Sequence, residues 1–130
     1  MQTAYPLAMV FCDMIHRDPL TGKRTLLGCF SELRATHFPY VHAMMATYVA
    51  FTDVRGQVVA KVRIVDVDEE HGPLFEQQAS VNVVDQGTVA EADVLMPGVR
   101  FPTPGVYTVQ FFVDARLLME RRLPVVQVSQ

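Results

Sequence analysis

Residues 104–128 read PGVYTVQFFVDARLLMERRLPVVQV. Two runs rich in Val, Tyr, Phe and Leu flank a short polar centre at Asp114-Ala115, and Pro104-Gly105 punctuates the start. β-Branched and aromatic residues interrupted by turn formers spell a β-hairpin. A lone hairpin is marginal in water, so its apolar face demands a second sheet over it. The tip breaks a local rule. A two-residue hairpin turn needs positive φ at its centre and favours Gly where Ala115 sits. The expectation is therefore a loop of three or more residues, or a left-handed residue supplied by Asp114.

Upstream, residues 57–67 (QVVAKVRIVDV) alternate, with Val58, Ala60, Val62 and Ile64 directed to the core. Residues 74–84 read as another strand, with Val81 and Val83 on one face. Residues 88–96 read as a further strand. Pro97-Gly98 and residues 102–105 bracket an expected loop containing Phe101. Residues 42–52 (HAMMATYVAFT) carry Ala and Met that allow a helix, yet residues 47–51 alternate like a strand. Residues 31–40 (SELRATHFPY) hold either one helical turn begun at Ser31 or a crossover between sheets, with an extended Phe38-Pro39 step.

Residues 5–15 (YPLAMVFCDMI) are apolar on both parities except Asp13, which suggests a strand covered at least partly on both sides. A turn over 16–24 returns the chain along residues 25–30. Pairing Asp18 with Lys23 fixes the register. It sets Cys12 opposite Cys29, Phe11 opposite Phe30, Ile15 opposite Leu26 and Asp13 opposite Gly28. In total the pattern gives seven to eight strands, no strong amphipathic helix, no repeat and no βαβ alternation. The expected fold is all-β: a two-sheet antiparallel sandwich of immunoglobulin-like type, one domain over residues 1–130. A small closed barrel is the alternative.

Composition narrows the function classes. The chain has 130 residues, half of them apolar, with a net charge of −3. That charge gives no general pull toward phosphate backbones or anionic lipid, so neither nucleic acid nor membrane is an expected partner. No apolar run is long enough to span a bilayer. The N-terminal stretch lacks a basic segment and a small-residue cleavage pattern, and reads as mature structure. Two cysteines do not make a disulfide framework, so a cytoplasmic location is expected.

Two segments resemble an uncharacterised bacterial family of small cytoplasmic β-sandwich domains, a domain of unknown function. One is AMVFCDMI at residues 8–15 followed by TGKRTLLGCF at 21–30; the other is GVYTVQFFVD at 105–114 with LPVVQ at 123–127. The first carries a Cys-Asp end, a Gly-Lys turn and an L-x-G-x-F strand. This chain departs from the usual Asp-Gly tip at Ala115. The resemblance implies a cytoplasmic β-sandwich and brings no activity, cofactor or catalytic residue.

Candidate chemistry is sparse. Cys12 and Cys29 read either as a bonded or oxidation-sensing pair, or as two small core side chains. Asp13, in an apolar run, needs a partner such as Arg24, Lys23 or backbone amides. Asp66, Asp68 and Glu70, within the acidic loop DVDEEH, are the candidate cation ligands, although EF-hand spacing is absent and a solvated turn is the simpler reading. His16, His37, His42 and His71 follow no metal-binding spacing. There is no nucleophile elbow and no phosphate loop. Phe38, Tyr40, Met44 and Met45 form a candidate apolar contact for a partner or a second copy, with core packing as the alternative. The expectation is a non-catalytic protein-interaction or self-associating module, without cofactor. A small-ligand or cation-binding domain using residues 66–71 is the alternative.

Overall fold

A computed structural model describes residues 3–68 and 72–129. The chain is all-β, with no helix among the described residues; none is therefore long and apolar enough to cross a membrane. The strands are β1 (Tyr5–Cys12), β2 (Met14–Arg17), β3 (Arg24–Leu27), β4 (Leu33–Ala35), β5 (Tyr40–Thr52), β6 (Gly56–Asp66), β7 (Phe75–Val83), β8 (Ala90–Phe101), β9 (Gly105–Val113) and β10 (Arg116–Gln127). They form a three-stranded sheet in the order β1-β5-β8, a five-stranded sheet in the order β4-β10-β9-β6-β7, and the two-stranded hairpin β2-β3.

The two larger sheets share one core. Val58, Ala60, Val62 and Ile64 of β6 are buried with Tyr107, Val109, Phe111 and Val113 of β9. Met45, Val49 and Phe51 of β5, with Met96, Val99 and Phe101 of β8, complete it from the other sheet. Aromatic rings bridge the layers: Phe51 lies 5.4 Å from Phe111, and Phe101 lies 5.0 Å from Tyr107 in an edge-to-face pair. The period-two reading of β6 therefore holds for Val58, Ala60, Val62 and Ile64, while Val65 on the other parity is buried as well.

The N-terminal register also holds. Ile15 pairs with Leu26, Phe11 bridges Phe30, and the Asp13 amide donates to the Leu27 and Gly28 carbonyls. Gly28 has a φ of 69°, and a Cβ there would collide with the Asp13 carboxylate. The loop closes where Asp18 N–H donates to the Lys23 carbonyl.

Several expectations need correction. Among the described residues there are ten strands rather than seven to eight. Asp13 splits the first run into β1 and β2, because the chain leaves one ladder there and enters another. Residues 33–35 add β4, which pairs in parallel with β10, so the five-stranded sheet is not wholly antiparallel. The segment 31–40 is thus the crossover between sheets, and no helical turn forms; its Phe38-Pro39 peptide is cis. The expected loop around Phe101 is strand: β8 runs through Pro97-Gly98. Pro97 is tolerated because β8 is an edge strand that needs no donor on its outer side. Gly98, at a φ of 62°, lets Val99 and Phe101 return to the core after Met96.

At the hairpin tip the expected loop of three or more residues does not form, whereas the left-handed Asp114 does, joined by a left-handed Ala115. Val113 pairs with Arg116, leaving a two-residue turn with Asp114 at a φ of 48° and Ala115 at 67°. The neighbouring strand holds it. Asp114 N–H donates to the Val59 carbonyl at 2.9 Å, and Val59 N–H donates back to Asp114 Oδ1 at 2.8 Å. Two tertiary hydrogen bonds offset the steric cost of a left-handed alanine.

Candidate functional site

The free edge of β7 is an open surface with a definite chemistry. This strand pairs with β6 on one side only. Its nine residues, FEQQASVNV, run without a register shift against β6. Glu76, Gln77, Gln78, Ala79 and Ser80 are all exposed. The strand has no Pro, Lys or Arg, and its one charge, Glu76, already lies 3.7 Å from Lys61.

The other edges are blunted. β4 is three residues long. β1 carries Pro6 and a register shift, its Phe11 carbonyl accepts the Phe30 N–H, and its Met9 carbonyl accepts Arg121 at 3.1 Å. β8 carries Glu91, Asp93, Pro97 and Arg100. Proteins use prolines, charges, bulges and short strands to stop edge-to-edge pairing, and of these β7 carries a single charge, Glu76, already paired with Lys61. Beside it, between β7 and β8, lies an apolar cavity of about 90 Å³ lined by Ala60, Val62, Val81, Val94 and Phe111.

Polar groups gather on the opposite layer. The β2–β3 hairpin lays Arg24 against β8, where Nε is 2.6 Å from Asp93 and Nη1 is 2.9 Å from Glu91. Tyr48 donates its hydroxyl to the other oxygen of Glu91, and the Arg24 guanidinium lies 5.9 Å from the Tyr48 ring centre. These groups border an open cleft of about 590 Å³ with Thr21, Gly22, Lys23 and Leu26. Burial, followed by the hydrogen bond to Glu91, pushes the Tyr48 phenol up to about 12. A phenol that holds its proton so tightly is poorly matched to proton transfer near neutral pH. Arg24 is already neutralised by two carboxylates, so the cleft offers no spare cation from that residue.

A second cluster lies at the Tyr40 end of β5. The Tyr40 hydroxyl and His42 Nδ1 are 2.6 Å apart, and His42 Nε2 is 3.8 Å from Asp13 Oδ1. Phe30 packs on the His42 ring at 6.0 Å. Asp13 is not the buried carboxylate that its neighbours suggested: its side chain is 62% exposed. It faces His42 instead of Arg24 or Lys23, and Arg24 is held by Glu91 and Asp93. Tyr40 and His42 share one face of β5 two residues apart, and Asp13 joins them from a separate segment with no local sequence signal.

The remaining candidates fall in different places. Met44 is 41% exposed, while Met45, its neighbour on the opposite face, is fully buried and belongs to the core, not to a contact surface. Phe38 and Tyr40 are half-buried, and Tyr40 stacks on Phe101. Cys12 is buried, Cys29 is exposed, and both are free thiols, so only Cys12 is a core side chain. Asp68 is exposed and Asp66 half-buried, whereas Glu70 and His71 lie outside the described residues. Among the described residues no three His, Cys, Asp or Glu side chains are placed to hold a metal ion.

Residues 7–126 match the model of a family described as a family of unknown function, DUF6941. No curated protein matches the chain.

Proposed function

The chain belongs to this family of unknown function, and we propose that it serves as a non-catalytic self-associating module, joined through the β7 edge to the β7 edge of a second copy. The observation that carries this is the self-complementarity of the strand. An antiparallel pairing about Ala79 sets Phe75 opposite Val83, Glu76 opposite Asn82, Gln77 opposite Val81 and Gln78 opposite Ser80. No like charges meet, and two glutamines each face a partner they tolerate. The pairing is isologous, as two-fold dimers require. It continues the five-stranded sheet across the axis by main-chain hydrogen bonds, the mode known as strand addition.

In this reading the two core-sharing sheets are the layers of an immunoglobulin-like sandwich. A buried Tyr107 supports it. Its hydroxyl donates to the Thr103 carbonyl at 2.7 Å, four residues upstream, as a tyrosine corner does. The cytoplasmic setting is part of the same reading, supported by Cys12 and Cys29 standing as free thiols.

Analytical ultracentrifugation across a concentration series tests the pairing. Wild-type protein is expected to show a reversible dimer. Gln78→Glu with Ser80→Glu puts two like-charge pairs across the axis, yet sets the new carboxylate at 78 beside Lys61 of its own chain. This variant is expected to be monomeric with an unchanged melting temperature. A wild type that stays monomeric at every concentration, or a double variant that dimerises as well as wild type, rejects the proposal.

A further inference from the structure

Two hydrogen-bonded positions frame Cys12 and Cys29. Phe30 N–H donates to the Phe11 carbonyl at 3.0 Å, and Asp13 N–H donates to the Gly28 carbonyl at 3.1 Å. Phe11–Phe30 is an antiparallel bridge, and the pairs Met14–Leu27 and Ile15–Leu26 keep the same register on the other side. Cys12 and Cys29 therefore stand directly opposite each other, between two hydrogen-bonded pairs. Such a position is the close kind in an antiparallel ladder, with Cα atoms about 4.5 Å apart, inside the range a disulfide accepts.

The two thiols differ in exposure. Cys29 is exposed, while Cys12 is fully buried with its Sγ directed at the Ala46 carbonyl, 3.8 Å away. Burial pushes the Cys12 thiol up from its ordinary value, and the neighbouring Cys29 adds to the shift. An accessible thiol beside a buried one is the arrangement of an attacking and a resolving cysteine.

We infer that Cys12 and Cys29 form a reversible oxidation site, closed by a small-molecule disulfide such as oxidised glutathione. The Cys29 thiolate attacks one glutathione sulfur, the glutathione S–S bond breaks, and the released glutathione thiolate takes a proton. Cys12 gives its proton to solvent, turns from the Ala46 carbonyl and attacks the Cys29 sulfur. The Cys12–Cys29 bond forms and the second glutathione leaves. Two protein thiols are oxidised and one glutathione disulfide is reduced to two glutathiones. Closure ties residue 29 to the end of β1, and with it fixes the β2–β3 hairpin over the Arg24 cleft. This inference is independent of the β7 pairing.

The test is a titration of the full chain with defined ratios of reduced and oxidised glutathione, followed by alkylation in denaturant and intact-mass measurement. The expected product has lost two hydrogens, resists alkylation at both cysteines, and reverts with dithiothreitol. Closure is expected to be faster at higher pH, because the resolving thiol must ionise. Cys12→Ser is expected to trap a glutathione adduct on Cys29, and Cys29→Ser to give no adduct. Cys12→Ala, checked for native circular dichroism, guards against a misfolded serine variant. A wild type that accumulates the Cys29 adduct with Cys12 still alkylated overturns the inference. So does one that forms only Cys29-linked dimers, or one that leaves both thiols unreacted.

Discussion

Thr47 sits fully buried on the core face of β5, and its hydroxyl has no hydrogen-bond partner among the described residues. An unpaired buried hydroxyl costs on the order of 1–3 kcal/mol. Thr47→Val keeps the branched shape and removes the orphan, so it is expected to raise stability by about 1 kcal/mol, seen as a higher urea midpoint at unchanged slope. Tyr48 gives a pH dependence of known sign. Its phenol rises from 10.0 to about 12 in the folded chain, so folding strengthens its hold on the proton. The stability this contributes is complete below pH 10 and is lost as pH climbs through about 12. Melting temperature followed over that alkaline window is expected to fall less steeply in Tyr48→Phe than in wild type. Asp13 shows the limit of reading single residues. Its sequence neighbours are apolar, yet its carboxylate is exposed and faces His42, a residue of β5 that no local pattern ties to it.

The C-terminal hairpin teaches the same lesson for an element. Its strands were legible because packing against a second layer imposes period two on Tyr107, Val109, Phe111 and Val113. Its tip was not, because the restraint comes from Val59, far away in sequence. The turn geometry makes two substitutions informative. Asp114→Ala leaves the Val59 amide unpartnered and is expected to cost about 1–2 kcal/mol. Ala115→Gly removes the left-handed strain at the price of chain entropy and is expected to stabilise by about 0.5–1 kcal/mol. Chemical denaturation of the two variants and the double variant checks both values. β7 was equally legible as a strand, but its status as an unprotected edge was not. Which strand lies outermost depends on the order β4-β10-β9-β6-β7, and no residue of β7 encodes that order.

For the whole molecule, composition and alternation gave the fold class because burial of alternate residues is a property of local sequence. Sheet order escaped the sequence because it follows from pairings between distant segments. β5 joins β1 and β8, and β10 joins β4 across about ninety residues. Such non-local topology is expected to fold on the millisecond-to-second scale rather than in microseconds, which stopped-flow fluorescence or circular dichroism measures directly. The candidate site was legible only in part: Cys12 and Cys29 could be aligned because a short turn ties their strands, whereas Asp13 could not be joined to Tyr40 and His42. The parallel pairing of β4 with β10 has a further consequence. On the ribosome, residues 33–35 emerge long before residues 125–127, so the early strand waits with its main-chain groups unfilled while most of the polypeptide is still being made. Nascent chains stalled between these two segments are expected to be the species most dependent on chaperone protection.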